Sequence, residues 1–186
     1  GCFSFFPTKN LSCFGDGGMI TCNNLSYKRY IDNMREYGWD SNRDAITIGI
    51  NSRLDDFQAL FLDKKLKKLD KMNNHKIKLA KIYDKFLSNK LIKPIITDDK
   101  NNIFHIYPIR LKKRDKLINF LSKNKIQALC HYPVPPHKQN SLKKFFKSQK
   151  YPISEQIHST VMSLPISFCH SEKNVRHVCN IINKFL

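Results

Sequence analysis

The spacing of apolar residues changes along the chain, and each change marks a different kind of element. Residues 2–6 (CFSFF) and 19–24 (MITCNN) are short apolar runs that predict two strands, the first of them buried. The segment between them is rich in proline and glycine and is expected to form a loop. Residues 24–38 predict a helix that ends at Gly38, and residues 39–51 follow as a loop.

Residues 54–89 carry the strongest periodicity, because apolar residues recur there at steps of three and four. These residues are Phe57, Leu60, Phe61, Leu66, Leu69, Met72, Ile77, Leu79, Ala80, Tyr83, Phe86 and Leu87. The pattern predicts one long amphipathic helix, with Asn73–Asn74 as the place where it could break. Such a helix can bridge two lobes, so we place a boundary near residue 75, between 1–74 and 75–186.

Beyond this helix, strand-like and helix-like patterns alternate, which is typical of an α/β fold. The predicted strands cover 103–111 and 126–132, and the predicted helices cover 113–124, 140–148, 153–162 and 172–186. Neither an internal repeat nor a low-complexity linker interrupts this part of the sequence. The whole pattern therefore predicts the α/β class, with the long helix connecting two parts.

The composition is that of a folded domain. The chain has 186 residues, 41% of them apolar, which suffices for one domain or a large domain with a small appendage. It contains no run of about 18 apolar residues, so we expect no transmembrane helix. The six cysteines form no CxxC pair and match no zinc spacing, so we predict no metal site. A reducing, cytoplasmic setting is favoured over disulfide bonds.

The chain is strongly basic, with a formal net charge of +18. Such a charge would attract nucleic acid, an anionic membrane surface or an anionic small molecule. The lysines are spread along the chain, and asparagine and isoleucine are also abundant, so a general compositional bias is the simpler explanation. A nucleic-acid-binding protein is an alternative that rests on charge alone, because no recognition motif accompanies it. We expect neither nucleic acid nor a membrane as a partner.

Lys9 stands out from the other lysines through its surroundings in the stretch SFFPTKNLSCFGDGG (4–18). An exposed lysine is the default interpretation, but this one follows an aromatic run that predicts a buried strand. Burial would desolvate the amine and make it nucleophilic toward a carbonyl. The residues therefore suggest a lysine that does covalent chemistry.

The same stretch also suits a phosphate. Ser4 could donate a hydrogen bond to it, and the glycine-rich turn lets backbone N–H groups approach an anion. A lysine that forms a Schiff base beside a phosphate site is what pyridoxal 5′-phosphate requires. A phosphate loop without covalent chemistry is the alternative, although the motifs GxxxxGK[ST] and GxGxxG are both absent.

The stretch around Lys9 resembles the lysine motif of the DegT/StrS-type nucleotide-sugar aminotransferases, which are fold-type I pyridoxal-phosphate enzymes. Two further stretches agree in order and spacing, REYGWDSNRDAITIGINSRLDDFQALFL (35–62) and HYPVPPHKQ (131–139). FHIYPIRL (104–111) and SLPIS (163–167) also fit. The resemblance covers nearly the whole chain, and three co-linear motifs make it specific.

The resemblance implies roles for four residues near the start of the chain. Lys9 matches the lysine that forms the Schiff base and moves the proton between the two α-carbons. Ser4 matches a hydroxyl that binds the cofactor phosphate. Asn51 matches an asparagine that reaches the phosphate in the partner subunit's site. Arg53 lies in the same motif and is either structural or a group that binds an anion, such as the substrate.

The late loop carries the remaining candidates. His131, Tyr132 and His137 match positions near the sugar nucleotide, and which of them touches the substrate stays open. Tyr132 could equally be a packed aromatic residue before a proline turn. We expect His105 and His177 to be structural or exposed rather than catalytic.

The main departure from the family is length, because its members are roughly twice as long and carry their lysine in mid-chain. The resemblance therefore implies a C-terminal half, without most of the cofactor-binding sheet. Residues 1–74 would be the end of the large lobe plus the long helix, and residues 75–186 the small α/β lobe. A truncated or split gene, a cut or partial product, and a protein that works with a separate N-terminal chain are the three explanations.

The function that the resemblance implies is amino transfer that depends on pyridoxal 5′-phosphate. The amino group would pass from an amino acid, with glutamate as the expected donor, to a keto group on a nucleotide-linked deoxysugar. Such sugars feed the synthesis of surface polysaccharides or glycans. The family acts as a homodimer with its sites at the interface. The alternative is a non-catalytic remnant or interaction domain of the same family.

Overall fold

The structure is a computed structural model that describes residues 1–96, 102–146 and 149–186. Within these ranges, no helix has both the length and the apolar character needed to cross a bilayer. The last two residues of the helix predicted over 140–148 lie outside the described residues.

The chain divides into two compact units, Gly1–Asp70 and Lys71–Leu186. The periodicity predicted a boundary near residue 75, a few residues further along. The cores of the units differ in size: among the described residues, three buried apolar residues cluster in the first unit and eighteen in the second. Because burial of apolar surface is the main driving force for folding, the second unit has its own source of stability and the first has little.

A short antiparallel hairpin opens the first unit. Strand β1 (Cys2–Ser4) pairs with β2 (Gly18–Ile20), which is shorter than the predicted 19–24. The strand predicted over 2–6 is shorter and mostly exposed: Phe5 is buried, but all three residues of β1 are exposed and Phe3 keeps 50% of its surface accessible. Within the described residues the sheet has two strands, and no further layer buries β1.

Helix α1 (Leu25–Arg35) begins where the sequence predicted it and ends earlier. The side chain of Asn24 caps it by accepting hydrogen bonds from two backbone N–H groups of its first turn. Gly38, the predicted end, instead serves the turn that follows. Its φ is +81°, and a Cβ there would lie 1.8 Å from the carbonyl oxygen of Thr47. The glycine therefore lets the 39–51 loop pack closely against the end of α1.

The predicted long helix is two helices, α2 (Asp56–Leu66) and α3 (Leu69–Phe86). They are separated by a two-residue turn, in which the N–H of Lys68 donates to the carbonyl of Lys65 at 2.9 Å. The predicted break at Asn73–Asn74 is wrong, because both asparagines lie inside α3. The low helix propensity of asparagine is a weak preference, and burial of the apolar face of α3 overrides it.

The sheet of the second unit is a pair of antiparallel strands, β3 (Tyr107–Arg110) and β4 (Val161–Leu164). Strand β3 lies inside the strand predicted over 103–111. The strand predicted over 126–132 is wrong in extent, because the structure reduces it to an isolated bridge between Leu129 and β4. A single bridge forms because the chain approaches the strand at one residue and then turns away.

The other described helical segments of this unit are α4 (Arg114–Lys123), a 3₁₀ turn (Pro136–Lys138), α5 (Lys143–Phe146), α6 (Pro152–Thr160) and α7 (Glu172–Phe185). Helix α6 ends at Thr160, whereas the sequence predicted a helix over 153–162. The chain becomes extended there and enters β4, all four of whose residues are buried. Pairing with β3 and burial outweigh the helical pattern of the sequence.

The core of the second unit joins residues of α3, both strands, α4 and α7. Tyr83 of α3 is fully buried in it, with its ring centroid 4.8 Å from that of Tyr107 in β3. Its hydroxyl donates to the carbonyl oxygen of Pro165 at 2.7 Å. Burial raises the pKa of the Tyr83 phenol well above its ordinary value, so the hydroxyl keeps its proton and its donor role at neutral pH.

Lys76 is a charged residue buried in the second unit. Only 5% of its surface is accessible, and its Nζ donates to the carbonyl oxygen of His105 at 3.0 Å. Burial lowers the pKa of this ammonium to about 8. An unfolded lysine keeps its proton up to a pKa of about 10.4. Between these two values the unfolded state therefore binds more protons, and the contribution of Lys76 to stability rises with pH.

We expect Lys76→Met to remove this pH dependence. Relative to the variant, the free energy of unfolding of the wild-type chain should rise by about 1–3 kcal/mol between about pH 8 and pH 10. Urea unfolding over a series of pH values measures the difference. Lys78→Met, at an exposed position of α3, is the matched control and should show no such rise. A difference between wild type and Lys76→Met that stays constant with pH would contradict the prediction.

Candidate active site

Lys9 lies in the loop that joins β1 to β2. The loop folds back on itself and on the end of the strand through three backbone hydrogen bonds: Phe5 N–H to Gly17 O at 2.8 Å, Lys9 N–H to Phe6 O at 2.8 Å, and Cys13 N–H to Phe5 O at 2.7 Å. Paired backbone groups give a loop one preferred path. The backbone at Lys9 is therefore held by a turn, and the residues after it are held by the strand end.

Ser4 precedes this turn, at the end of β1 and opposite Gly18 of β2. The Ser4 hydroxyl accepts from the N–H of Phe6 at 3.4 Å, so its own hydrogen can serve another acceptor. Ser4 is exposed and Lys9 is half-buried. Of the strand expected to be buried before Lys9, only Phe5 is buried, because the residues of β1 are exposed.

Helix α2 holds the far part of the loop through one of its faces. Gln58, Phe61 and Lys65 share that face because they are spaced three and four residues apart. The side-chain oxygen of Gln58 accepts from the N–H of Phe14 at 2.9 Å, and the Phe14 ring stacks on Phe61 with centroids 3.9 Å apart. Lys65 Nζ donates to the carbonyl and to the hydroxyl of Ser12, at 3.1 and 2.5 Å.

Gly17 and Cys13 pack so closely in this loop that a side chain larger than that of glycine does not fit at residue 17. A Cβ on Gly17 would lie 2.7 Å from the sulfur of Cys13, so only glycine fits there without a shift. Burial raises the pKa of the Cys13 thiol and lowers the pKa of the Lys65 ammonium. The thiol is therefore a small packed group, while the ammonium keeps its role as a donor to Ser12.

Asn51 lies on an extended segment that returns to the end of α1. Two backbone hydrogen bonds close the contact, one on each side of Asn51. The N–H of Ile50 donates to the carbonyl of Met34 at 2.7 Å, and the N–H of Ser52 donates to the carbonyl of Arg35 at 2.9 Å. The region predicted as a loop thus ends in a strand-like bridge, which sets the position of Asn51.

The side chain of Arg53 holds the amide of Asn51. Its Nε donates to Asn51 Oδ1 at 2.9 Å, Nη2 donates to the hydroxyl of Tyr37 at 3.4 Å, and Nη1 lies 3.6 Å from Glu36 Oε2. Since the amide oxygen of Asn51 is engaged, the NH₂ group is what this side chain can offer to an anion. The guanidinium has partners within its own unit, which favours the structural alternative for Arg53.

The second unit presents His131 and Tyr132 on one loop. His131 Nδ1 lies 2.9 Å from the hydroxyl oxygen of Ser163 in β4, so Nε2 is the ring nitrogen left for a ligand. The carbonyl oxygen of Tyr132 lies 2.6 Å from Nδ1 of His158 on α6. The Tyr132 side chain itself is exposed, with 66% of its surface accessible. A packed tyrosine, one of the two predictions for this residue, is therefore wrong in this chain.

His137 has a different environment from its neighbours. Only 7% of its side chain is accessible, and its Nε2 lies 3.2 Å from Oε1 of Glu155. Of the two histidines expected to be structural or exposed, His177 is exposed on α7, and the carbonyl of His105 is the acceptor for Lys76. These environments distinguish histidines that the sequence alone treats alike.

The candidates divide between the two units. The first unit holds Ser4, Lys9, Asn51 and Arg53, and the second holds His131, Tyr132 and His137. Within the first unit, the structure brings Asn51 and Arg53 into contact and places Ser4 and Lys9 in one hairpin. A lysine and a hydroxyl in one turn, with an asparagine amide on a second, are groups that can hold an aldehyde and a phosphate.

Residues 1–183 match the DegT/DnrJ/EryC1/StrS aminotransferase family over nearly the whole chain. The chain belongs to this family. The family and the α/β class predicted from the sequence are thereby confirmed. The match also extends over both units, so the hairpin with Lys9 and the loop with His131 belong to one family pattern.

Several curated relatives of this chain are named as sugar transaminases. The chain is 40% identical over 184 residues to the dTDP-3-amino-3,6-dideoxy-alpha-D-galactopyranose transaminase of Aneurinibacillus thermoaerophilus, covering 98% of this chain and 50% of the relative. It is 31% identical to the UDP-N-acetyl-3-dehydro-alpha-D-glucosamine 3-aminotransferase of Acidithiobacillus ferrooxidans, covering 100% of this chain and 50% of the relative. The chain thus spans about half the length of the curated relatives it matches.

Solved structures of family members superpose on the fold of this chain. The structure of DesV from S. venezuelae in complex with a ketimine intermediate superposes with a TM-score of 0.90 at 31% identity, over 99% of this chain and 50% of that one. A family member from Brucella abortus superposes with a TM-score of 0.91 at 29% identity, over 100% of this chain and 50% of that one. The described fold is therefore that of half an aminotransferase of this family.

Sequence reasoning missed the residues that hold the candidate loops. These are Gln58, Lys65, Glu155, His158 and Ser163. The spacing of Gln58, Phe61 and Lys65 was a usable signal, since it marks one helix face. The other three have no distinctive spacing relative to the loop residues they contact, because those contacts join segments far apart in the sequence.

We expect Lys65→Met to loosen the loop that carries Lys9 in this family member. Methionine keeps the length of the side chain but cannot donate to Ser12, so a loss of about 1–2 kcal/mol of local stability follows. Amide hydrogen exchange should then be roughly five- to thirtyfold faster at the N–H of Cys13. Lys64→Met, at the exposed neighbouring position, is the matched control. Unchanged exchange at Cys13 in Lys65→Met would show that the contact does not hold the loop.

Proposed function

We propose that this chain is the lysine-bearing half of a pyridoxal-phosphate-dependent aminotransferase that acts on a nucleotide-linked keto-deoxysugar. An amino acid, with glutamate as the expected one, would donate the amino group. The observation that carries the proposal is the hairpin loop of Lys9, held by its own backbone hydrogen bonds and by α2. It supports a lysine whose backbone is held five residues after Ser4, in the same hairpin.

The residues present fit pyridoxal 5′-phosphate. The amine of Lys9 would bond to the aldehyde, and the hydroxyl hydrogen of Ser4 would be donated to the phosphate. When bound, the cofactor supplies an electron sink for the carbon that gains or loses the amino group. Glycines in this turn leave backbone N–H groups uncovered by side chains, which suits an anion, while Gly17 itself packs against Cys13.

Lys9 would have two roles in amino transfer. As a nucleophile it would hold the cofactor, and after release its Nζ would accept and return the proton at the reacting carbon. Both roles require that the backbone at Lys9 is fixed and that its side chain can move. The turn hydrogen bond from Lys9 N–H to Phe6 O supports the first requirement, and the partial exposure of Lys9 supports the second.

Asn51 would serve the phosphate across a homodimer interface. Its side chain is exposed, and Arg53 engages its amide oxygen, so the NH₂ group is the part directed to a partner. Two donors from two protomers would then share one phosphate. This arrangement would make cofactor affinity depend on dimer formation.

The other half of the family fold would complete the site, either in the same polypeptide or as a separate N-terminal chain. The exposed hairpin and the small apolar cluster of the first unit support this part of the proposal. Apolar side chains such as those of Phe3, Met19 and Ile20 are about half exposed here and would be covered by such a half.

The second unit would bind the sugar nucleotide. The open Nε2 of His131 and the exposed ring of Tyr132 are suited to hydroxyl groups and to a base or sugar face. The net charge of +18 would attract the diphosphate of such a substrate. A product of this kind would enter the synthesis of surface polysaccharides or glycans.

The alternative is a non-catalytic remnant or interaction domain of the same family. The exposure of β1, which leaves Lys9 without the expected buried strand, favours it. The two proposals differ in one property, namely whether Lys9 forms a covalent bond with the cofactor, either in this chain alone or together with a complementary N-terminal half.

We expect pyridoxal 5′-phosphate followed by borohydride to leave one stable adduct on the peptide that contains Lys9. Peptide mass spectrometry measures its position. Lys9→Arg should abolish the adduct, because arginine keeps the charge but cannot form the bond. Lys28→Arg, which changes an exposed lysine of α1, is the matched control and should leave it unchanged.

Scattered adducts on many lysines, unchanged in Lys9→Arg, would contradict a specific site. A chain that reacts at Lys9 only after a complementary N-terminal half is supplied would support the two-part proposal. A chain that fails to react at Lys9 in both settings would favour the non-catalytic alternative.

A further inference from the structure

The loop that carries His131 and Tyr132 is held at two points by α6. Glu155 and His158 lie three residues apart on this helix, so they share a face. His158 Nδ1 lies 2.6 Å from the carbonyl oxygen of Tyr132, and Glu155 Oε1 lies 3.2 Å from Nε2 of His137. The loop is thus tied to α6 near its start and near its end.

The surroundings of His137 suit a residue that holds the loop in place rather than one that binds a ligand. The ring is nearly enclosed, with the rings of Tyr151 and Phe146 at centroid distances of 4.9 and 6.5 Å. Its Nε2 is engaged by Glu155. A histidine with its ring covered and this nitrogen occupied has little surface to offer a ligand.

Glu155 receives a second partner on its other oxygen, because Lys138 Nζ donates to Oε2 at 2.5 Å. Hydrogen bonds from Lys138 and His137 hold the pKa of the Glu155 carboxyl below its ordinary value, so the group is a charged acceptor at neutral pH. The two contacts are not equal. Lys138 is about half exposed, where screening leaves an ion pair little net effect, whereas the His137 ring is covered.

The same loop leaves two other groups open. Tyr132 projects an exposed ring, and His131 has one nitrogen against Ser163 and the other available. The side chains of one loop therefore differ: the Nε2 of His137 is bonded to Glu155, whereas the Nε2 of His131 and the ring of Tyr132 are left for a ligand.

We propose that His137, Glu155 and His158 form a clasp that positions the loop on which His131 and Tyr132 lie. The clasp is these three side chains and their two hydrogen bonds. Its effect on ligand binding rests on the proposed function, because it takes the ligand to be a nucleotide-linked sugar. His137 thereby becomes a positioning residue, and Glu155 and His158 gain a role that the motif does not indicate.

The clasp is tested first without a ligand, through amide hydrogen exchange at Gln139, whose N–H donates to Pro136 O at 3.1 Å. His137→Ala and Glu155→Ala should each make this exchange about tenfold faster, since both remove the same charge-assisted hydrogen bond. The double variant should be no faster than either single one. Glu155→Gln, which keeps an acceptor oxygen, should restore part of the protection.

Lys138→Met is the matched control for these variants. It removes the exposed partner of Glu155 and leaves the buried one, so exchange at Gln139 should change by less than about twofold. Equal effects of Lys138→Met and His137→Ala would overturn the clasp, because the buried contact would then have no special role.

The second test measures binding of UDP and of dTDP to the chain by calorimetry. His137→Ala and Glu155→Ala should weaken binding about tenfold, in step with their effect on exchange. Tyr132→Ala should weaken binding and leave exchange at Gln139 unchanged. Weaker binding in His137→Ala without faster exchange would overturn the proposal, because His137 would then touch the ligand. If the wild-type chain binds neither nucleotide, the second unit does not bind the nucleotide without the other half of the family fold, and the exchange result alone decides the clasp.

Discussion

Both loops that carry the candidate site depend on a neighbouring helix to pair their polar groups. Outside regular secondary structure, a buried polar group costs free energy unless it has a hydrogen-bond partner. In the first unit α2 supplies partners through Gln58 and Lys65, and in the second unit α6 supplies them through Glu155 and His158. The placement of the chemistry therefore depends on side chains that take no part in it.

Both units pair the polar groups of their loops, but they differ in how much buried apolar surface stabilises them. The second unit contains an apolar core that includes the buried pair Tyr83 and Tyr107. The first unit has defined backbone hydrogen bonds but little buried apolar surface. A hydrogen bond contributes about 1 kcal/mol net, so a handful of them gives the Lys9 loop a geometry without giving its unit much stability. The rest of the family fold would supply that stability by covering the exposed hairpin.

The sequence predicted the family, the α/β class, the helix α7 and the loop around Lys9, because each rests on a local pattern or a motif. It did not predict β4, since Val161 and Met162 fall within the helix predicted over 153–162 and become part of a strand only by pairing with β3. It also predicted a break at Asn73–Asn74, where tertiary burial of α3 overrides local propensity. The clasp could not be predicted from the sequence either, because contacts such as that of His137 with Glu155 join different segments of the chain.

A family motif assigns residues by position, whereas the structure distinguishes them by the partners they already have. Asn51 has its oxygen engaged by Arg53, so its NH₂ group is what it can give to a phosphate. His137 has its ring enclosed, while Tyr132, five positions earlier, is open. A polar group whose hydrogen bonds are formed within the fold positions its neighbours. A polar group that still has a donor or an acceptor available can bind a ligand. This criterion separates positioning residues from contact residues within a single motif.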